Sequence, residues 1–133
     1  MHCHLALILL ATLAGLSTGC SESEFVPVEG QVLFKDKPLA SGVIMFQPAN
    51  GPPSRSDITA GAFKLTTLDG QQGARIGLNK VRIASRATPQ GSDAELALGK
   101  SLIPERYAHF DSSELTAEVK PEVNEPFVFR LED

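Results

Sequence analysis

The sequence predicts an all-β domain, an antiparallel β-sandwich of seven strands with one short helix, which follows a cleaved export signal. Apolar residues recur at every second position in most segments after residue 25, which is the period of a half-buried strand. Gly, Pro and Asp residues separate these segments. Residues 1–21 contain no Asp, Glu, Lys, Arg or Pro, whereas every charged residue and all nine prolines follow Cys20. So abrupt a change separates a targeting segment from a folded domain.

Residues 1–19 have the features of a signal peptide. Their apolar run, residues 5–16, is shorter than the roughly 20 residues that span a bilayer and fits the ~7–15 residue core of a secretory signal. The start, "MHCH", carries histidines where Lys or Arg is usual. A buried core helix is the alternative, which the lack of a polar face and of a capping residue disfavours.

Cys20 is the predicted lipidation site. Thr18, Gly19 and Cys20 resemble a bacterial lipobox, in which the cysteine receives a diacylglyceryl thioether before cleavage, although Leu16 stands one place earlier than usual. The alternative is an unpaired thiol, which is unusual in an exported protein. Two or more acyl chains hold a membrane firmly, whereas one binds marginally. We therefore predict a lipoprotein of the cell envelope, with residues 20–25 as lipidated cysteine and acidic spacer.

Ser21, and not Asp, follows the cysteine. This resembles the signals that sort lipoproteins to the outer membrane, which is therefore the favoured location.

Residues 26–133 form the predicted domain. A segment that is apolar on both faces, residues 42–48, is typical of a central strand. Turns are predicted at 36–38, 61 and 69–70, and a loop at 50–56. The seven predicted strands are 26–34, 42–48, 56–60, 62–68, 77–86, 115–120 and 127–131.

The alternation also predicts which side chains face the core. In the segment around Phe63, Leu65 points inward with it and Lys64 outward. The other predicted core residues are Val26, Val28, Val32, Phe34, Phe46, Val81, Ile83, Leu115, Ala117, Val119, Phe127, Phe129 and Leu131.

Residues 87–104 form a long connection, and compact domains seldom contain one without structure of its own. Ser92 with Glu95 makes a capping box and Gly99 can end a helix, so we predict a short helix over residues 93–98. The connection also carries candidate binding residues, namely Leu96, Leu98, Leu102 and Ile103. The alternative is that these side chains cap the open end of the sandwich.

The order of motifs resembles that of bacterial carboxypeptidase-regulatory-like, or transthyretin-like, domains. The matching residues are Val28, Gly30, Val32, Pro38, Leu39, Phe46, Pro48, Gly61, Phe63, Leu65, Gly77, Val81 and Ile83. Asn79 stands where the family has Tyr. The later segment "SLIPERYAHFDSSELTAEV" resembles small bacterial lipoproteins with this domain. The resemblance implies a seven-stranded transthyretin-like (Ig-like) sandwich with a short helix after the fifth strand. Because glycine gives the backbone a freedom that a side chain forbids, we predict that Gly30, Gly61 and Gly77 lie at bulges or turns.

Residues 105–114 gather the side chains that could carry chemistry. His109 lies near Asp111 and two serines, but triad members normally come from distant chain positions, so a turn is the simpler interpretation. Glu105, His109, Asp111 and Glu114 match no calcium or zinc spacing. We expect no enzyme activity, no metal and no cofactor.

The predicted function is that of a non-enzymatic adhesion, scaffold or assembly module, bound to the membrane through its anchor and to an envelope protein or glycan of unknown identity. A net charge of −4 argues against nucleic acid as a partner. The alternative is a carbohydrate-binding module. Such modules need exposed aromatic rings, and the candidates are Tyr107 and Phe110 in a chain without Trp.

Overall fold

A computed structural model describes residues 24–88 and 99–133. The predicted signal peptide and Cys20 lie outside these residues. So do the helix predicted over 93–98 and the candidate binding residues Leu96 and Leu98.

Eleven strands and one short 3₁₀ helix, Glu105–Ala108, make up the secondary structure of the described residues. The strands are β1 (Phe25–Val26), β2 (Glu29–Phe34), β3 (Lys37–Pro38), β4 (Ser41–Pro48), β5 (Ser54–Thr59), β6 (Ala62–Lys64), β7 (Thr66–Thr67), β8 (Ala74–Arg75), β9 (Gly77–Ala84), β10 (Leu115–Val119) and β11 (Phe127–Leu131). Each of the seven predicted segments overlaps one of the strands β2, β4, β5, β6, β9, β10 and β11, so the prediction of an all-β domain is confirmed.

Seven strands form a continuous path in the order β10-β9-β4-β5-β6-β2-β11, to which β3 adds at β2 and β7 at β5. Strands β1 and β8 pair separately. Neighbours are antiparallel except for β11, which runs parallel to β2. The prediction of a purely antiparallel arrangement is therefore wrong at this one pair. A parallel pair needs a long crossover, and nearly the whole domain separates β2 from β11.

The sheet is curled. Phe46 on β4 and Phe129 on β11 are four strand positions apart along the path, which would be about 19 Å in a flat sheet. Their ring centroids are 6.0 Å apart. The sheet must therefore fold over on itself, and its inward faces enclose the core.

Phe46 lies at the centre of that core and is fully buried. Its ring centroid lies 6.4 Å from that of Phe63 and 5.9 Å from that of Phe127, in addition to the contact with Phe129. The residues predicted to face inward are buried or pack against the buried cluster, so the predicted strand faces are confirmed.

Gly30 and Gly61 serve different purposes. Gly61 lies in the β5–β6 turn, as predicted. Its φ of 81° would strain a residue with a side chain. Gly30 lies within β2, where a Cβ atom would stand 2.1 Å from the carbonyl oxygen of Phe127. The reason for this glycine is thus the close approach of β11, and not a bulge or turn.

Two predicted boundaries shift. The first turn is formed by Lys35 and Asp36, both with positive φ, because Lys37–Pro38 pairs with β2 as a strand. The predicted loop 50–56 is shorter than expected, since β5 begins at Ser54.

Within residues 24–88 and 99–133, no helix has the length and apolar character needed to cross a bilayer.

We predict that Phe63→Ala lowers the free energy of unfolding by about 3–5 kcal/mol, since it removes a buried ring and leaves a cavity. The neighbouring Lys64 side chain is exposed. Lys64→Ala should therefore change the unfolding free energy by only about 0.5 kcal/mol. Urea denaturation of both variants measures the difference. Equal losses would contradict the register of β6.

A second prediction concerns the parallel pair. Gly30→Ala should destabilise the domain by about 1–3 kcal/mol, because the added methyl group forces β11 away from β2. The matched control is Gln31→Ala at the next, exposed position of the same strand. Urea denaturation again compares the two variants. A Gly30→Ala variant as stable as its control would show that β11 does not lie where we place it.

Candidate functional site

The outer side of the curled sheet carries one mixed apolar and cationic surface, formed by Met45, Arg82 and Phe110 and called here the Arg82 surface. The guanidinium carbon of Arg82 lies 5.3 Å from the centroid of the Phe110 ring. Nη2 of Arg82 lies 2.7 Å from Sδ of Met45, and Nη1 donates to the carbonyl oxygen of Ala108 at 3.3 Å. All three side chains are half-buried.

Strand alternation and the 3₁₀ helix position these groups. Val81 and Ile83 of β9 point into the core, so Arg82 between them points outward. Met45 stands directly opposite Arg82 in the β4–β9 register. The 3₁₀ helix is held by its buried Tyr107 and Ala108, and Phe110 follows it.

The charged neighbours of this surface are mostly paired. Arg55 stands opposite Met45 on the neighbouring strand β5, and its guanidinium lies 3.3 Å from the carboxylate of Asp57. Lys80 lies 4.0 Å from Asp111. Arg82 has no carboxylate partner among the residues that the structure describes. The Arg82 surface can therefore contact the apolar or anionic groups of a partner, but it contains no nucleophile that could carry a reaction.

Tyr107 does not provide an exposed ring. Its side chain is only 6% exposed. Its hydroxyl donates to the carbonyl oxygen of Glu132 at 3.2 Å and accepts the backbone N–H of Glu132 at 3.0 Å. The prediction of an exposed Tyr107 is wrong because the 3₁₀ helix packs against the end of β11. Phe110 remains the half-buried member of the predicted aromatic pair.

Residues 109–113 form a turn. The carbonyl oxygen of His109 accepts the backbone N–H groups of Ser112 and Ser113 at 3.3 and 2.9 Å. The Ser112 hydroxyl donates to the carbonyl oxygen of Arg106, and the Ser113 hydroxyl donates to that of Val81. Both hydroxyls thus bond to the backbone, which is the predicted interpretation of this segment.

The four side chains weighed as metal ligands do not converge. Glu105 pairs with Arg86 at 3.1 Å, and Asp111 is the partner of Lys80. In the part of the chain described by the structure, no three His, Cys, Asp or Glu side chains are grouped to hold a metal ion.

The two ends of the long connection 87–104 pair with each other, directly after the end of β9. The backbone N–H of Ala87 donates to the carbonyl oxygen of Lys100 at 2.8 Å, and that of Leu102 donates to the carbonyl oxygen of Ser85 at 2.8 Å. Ile103 is buried, whereas Leu102 is 48% exposed. Ile103 therefore contributes to the core, as the capping alternative expects, and Leu102 stays available for contact.

Asn79 is a feature that sequence reasoning missed. It is fully buried, and its Nδ2 donates to the carbonyl oxygens of Arg75 and Gly77 at 3.0 and 3.1 Å. The side chain thus ties the corner between β8 and β9, and does more than remove an aromatic ring from the core. The available signal was a polar residue at an inward position of an alternating strand.

Comparison with models of protein families, with curated proteins and with solved structures finds no match to this chain.

We predict that Tyr107→Phe lowers the free energy of unfolding by about 1 kcal/mol, because the hydroxyl bonds to both backbone groups of Glu132. Thermal unfolding followed by circular dichroism is the measurement. The control is His109→Ala, which removes an exposed side chain and should change stability by less than about 0.5 kcal/mol. A neutral Tyr107→Phe variant would contradict the docking of the 3₁₀ helix on β11.

Proposed function

We propose that this protein is a bacterial lipoprotein of the cell envelope, acylated on Cys20 after removal of residues 1–19. The observation that carries the proposal is the apolar run that ends at Thr18-Gly19-Cys20. The start of the folded domain fits this processing, because β1 begins at Phe25, the last residue of the predicted spacer 20–25 and five residues after Cys20. Glu24 already belongs to the folded part, since its carbonyl oxygen accepts the backbone N–H of Ile76 at 2.9 Å.

We further propose that the domain over residues 26–133 is a transthyretin-like sandwich. The seven-strand path, the curled sheet and the core built on Phe46 support this assignment. The motif order given above supports it as well. Sandwiches of this kind offer loops on a rigid frame, and recognition commonly falls to such loops.

The proposed role is non-enzymatic: adhesion, scaffolding or assembly through contact with another envelope component. The hydroxyls of Ser112 and Ser113 are engaged by the backbone, and the Arg82 surface offers contact groups without a nucleophile. No step of this role requires a cofactor. Residues 99–104 and the Arg82 surface are the candidate contact regions in the described residues.

A protein partner is favoured over a glycan. Carbohydrate sites present aromatic rings to solvent, and the burial of Tyr107 removes one of the two candidate rings. Phe110 is half-buried and faces the Arg82 guanidinium. This arrangement suits the apolar and charged side chains of a protein surface.

Expression of the full chain in a bacterial host tests the anchor. Mass spectrometry should find an N-terminal Cys20 carrying a diacylglyceryl group, and Cys20→Ser should move the protein from the membrane to the soluble fraction. The acyl chains explain the shift, since each buried methylene contributes ~0.8 kcal/mol to membrane binding.

Cys3→Ser is the matched control, because Cys3 lies in the segment to be removed. This variant should remain in the membrane fraction. An intact residue 1, a free thiol on Cys20 or a membrane-bound Cys20→Ser variant would each refute the anchor.

A further inference from the structure

One end of the domain holds the point where the chain enters it. This N-terminal end comprises β1, β8, the turn 68–71 and the loop 120–126. Phe25 of β1 pairs with Arg75 of β8, and the Arg75 guanidinium lies 3.3 Å from the carboxylate of Glu24. The start of the described chain is therefore fixed to this end by a strand pair and an ion pair.

Cys20 stands four residues before Glu24. An extended chain advances at most ~3.6 Å per residue, so Cys20 lies within about 14 Å of Glu24. An anchor on Cys20 would hold the N-terminal end within that distance of the lipid surface. This step rests on the proposed function.

The N-terminal end also presents exposed apolar side chains on separate segments. Leu68 is 66% exposed in the turn 68–71, and Val123 is 97% exposed in the loop 120–126. Leu78, near the start of β9, is 60% exposed. Leu102 lies at the opposite end of the domain. Its backbone N–H donates to the carbonyl oxygen of Ser85, which follows the last residue of β9.

The turn that contains Leu68 and the loop that contains Val123 adjoin one depression of the surface, and these two exposed side chains are called here the apolar tips. Thr66 and Gln72 form a bridge that closes the turn containing Leu68. Gln72 and Val123 line the same depression of about 320 Å³, together with Pro27 next to β1. The tips and the point of chain entry therefore belong to one contiguous region.

Both segments are held by side-chain hydrogen bonds. Asn124 accepts the backbone N–H of Lys120 at 2.9 Å and donates to its carbonyl oxygen at 3.1 Å. The Thr67 hydroxyl donates to the carboxylate of Asp69 and accepts the backbone N–H of Gln71. The two apolar tips are thus presented by ordered turns at the end nearest the anchor.

We propose that this end of the domain rests on the membrane, with Leu68 and Val123 inserted at the headgroup level of the bilayer. The partner is a phospholipid surface with zwitterionic headgroups, because the carboxylates of Asp69, Glu122 and Glu125 outnumber Lys120 in the two segments. The anchor supplies the affinity, and the apolar tips set the orientation, so that the opposite end faces away from the bilayer.

Single tryptophan variants test the orientation, since the chain contains no Trp of its own. The variants are Leu68→Trp, Val123→Trp and, as the matched control at the opposite end, Leu102→Trp. Each is purified as the full, cell-processed protein and reconstituted into phosphatidylcholine vesicles with and without doxyl-labelled lipid. Circular dichroism verifies folding. Val123 is so exposed that its substitution leaves the core intact.

Apolar side chains of interfacial segments lie ~5–10 Å into the headgroup boundary, within reach of the doxyl label. We therefore expect doxyl lipid to quench the tryptophans at positions 68 and 123 at least roughly twofold more than the tryptophan at position 102. Emission from the first two positions should also move to shorter wavelength on reconstitution. Mass spectrometry of the same samples reports the acyl group on Cys20. Equal quenching at all three positions with Cys20 acylated would overturn the orientation alone. Absence of the acyl group would overturn the anchor and the orientation together.

Discussion

The contact between Phe46 and the phenylalanines of β11 is the interaction on which the rest of this structure depends. Phe46 belongs to the middle of the strand path and Phe129 to its end, yet their rings meet edge to face at 6.0 Å. Phe127 adds a second contact of the same kind. In a chain without Trp, these rings are among the largest apolar side chains at the core, and burial of such rings is a large apolar gain for a small domain. The curl of the sheet, and with it the position of every loop, follows from this contact.

The curled sheet separates two ends with different properties. One end holds β1, the entry of the chain and the apolar tips Leu68 and Val123. The other end holds the 3₁₀ helix, which is docked through Tyr107, and the bases of the connection 87–104. A lipid anchor just before the first end leaves the second free to meet a partner. In the proposed role, the domain would separate a membrane contact at the first end from a recognition surface at the second.

The strand positions and their inward faces could be predicted because the period of two is local. Phe63, Lys64 and Leu65 illustrate this, since three neighbouring residues suffice to define the two faces. The partner of a strand is not a local property. Nothing in the segment 127–131 indicates that it pairs in parallel with β2, and the only trace is Gly30, whose missing side chain makes room for Phe127.

The candidate site was less predictable than the fold. The burial of Tyr107 depends on its contact with Glu132, 25 residues away. The alternation of inward and outward side chains applies to strands and does not predict burial in this segment. The Arg82 surface likewise needs the register of β4 against β9, which brings Met45 opposite Arg82. The inward position of Asn79 was visible in the pattern, but its role depends on the carbonyl groups of the preceding corner. Contacts between distant segments therefore account for each difference.

A double-mutant cycle with Phe46→Leu and Phe129→Leu tests the curled core most directly. Aromatic pairs in edge-to-face contact contribute about 0.5–1.5 kcal/mol beyond their burial, so we predict a coupling energy of that size from urea denaturation of the four proteins. Phe46→Leu combined with Val128→Ala, on the outer face of β11, should be additive. Additivity of the Phe46 and Phe129 substitutions within about 0.3 kcal/mol would contradict the contact and the closure of the sheet.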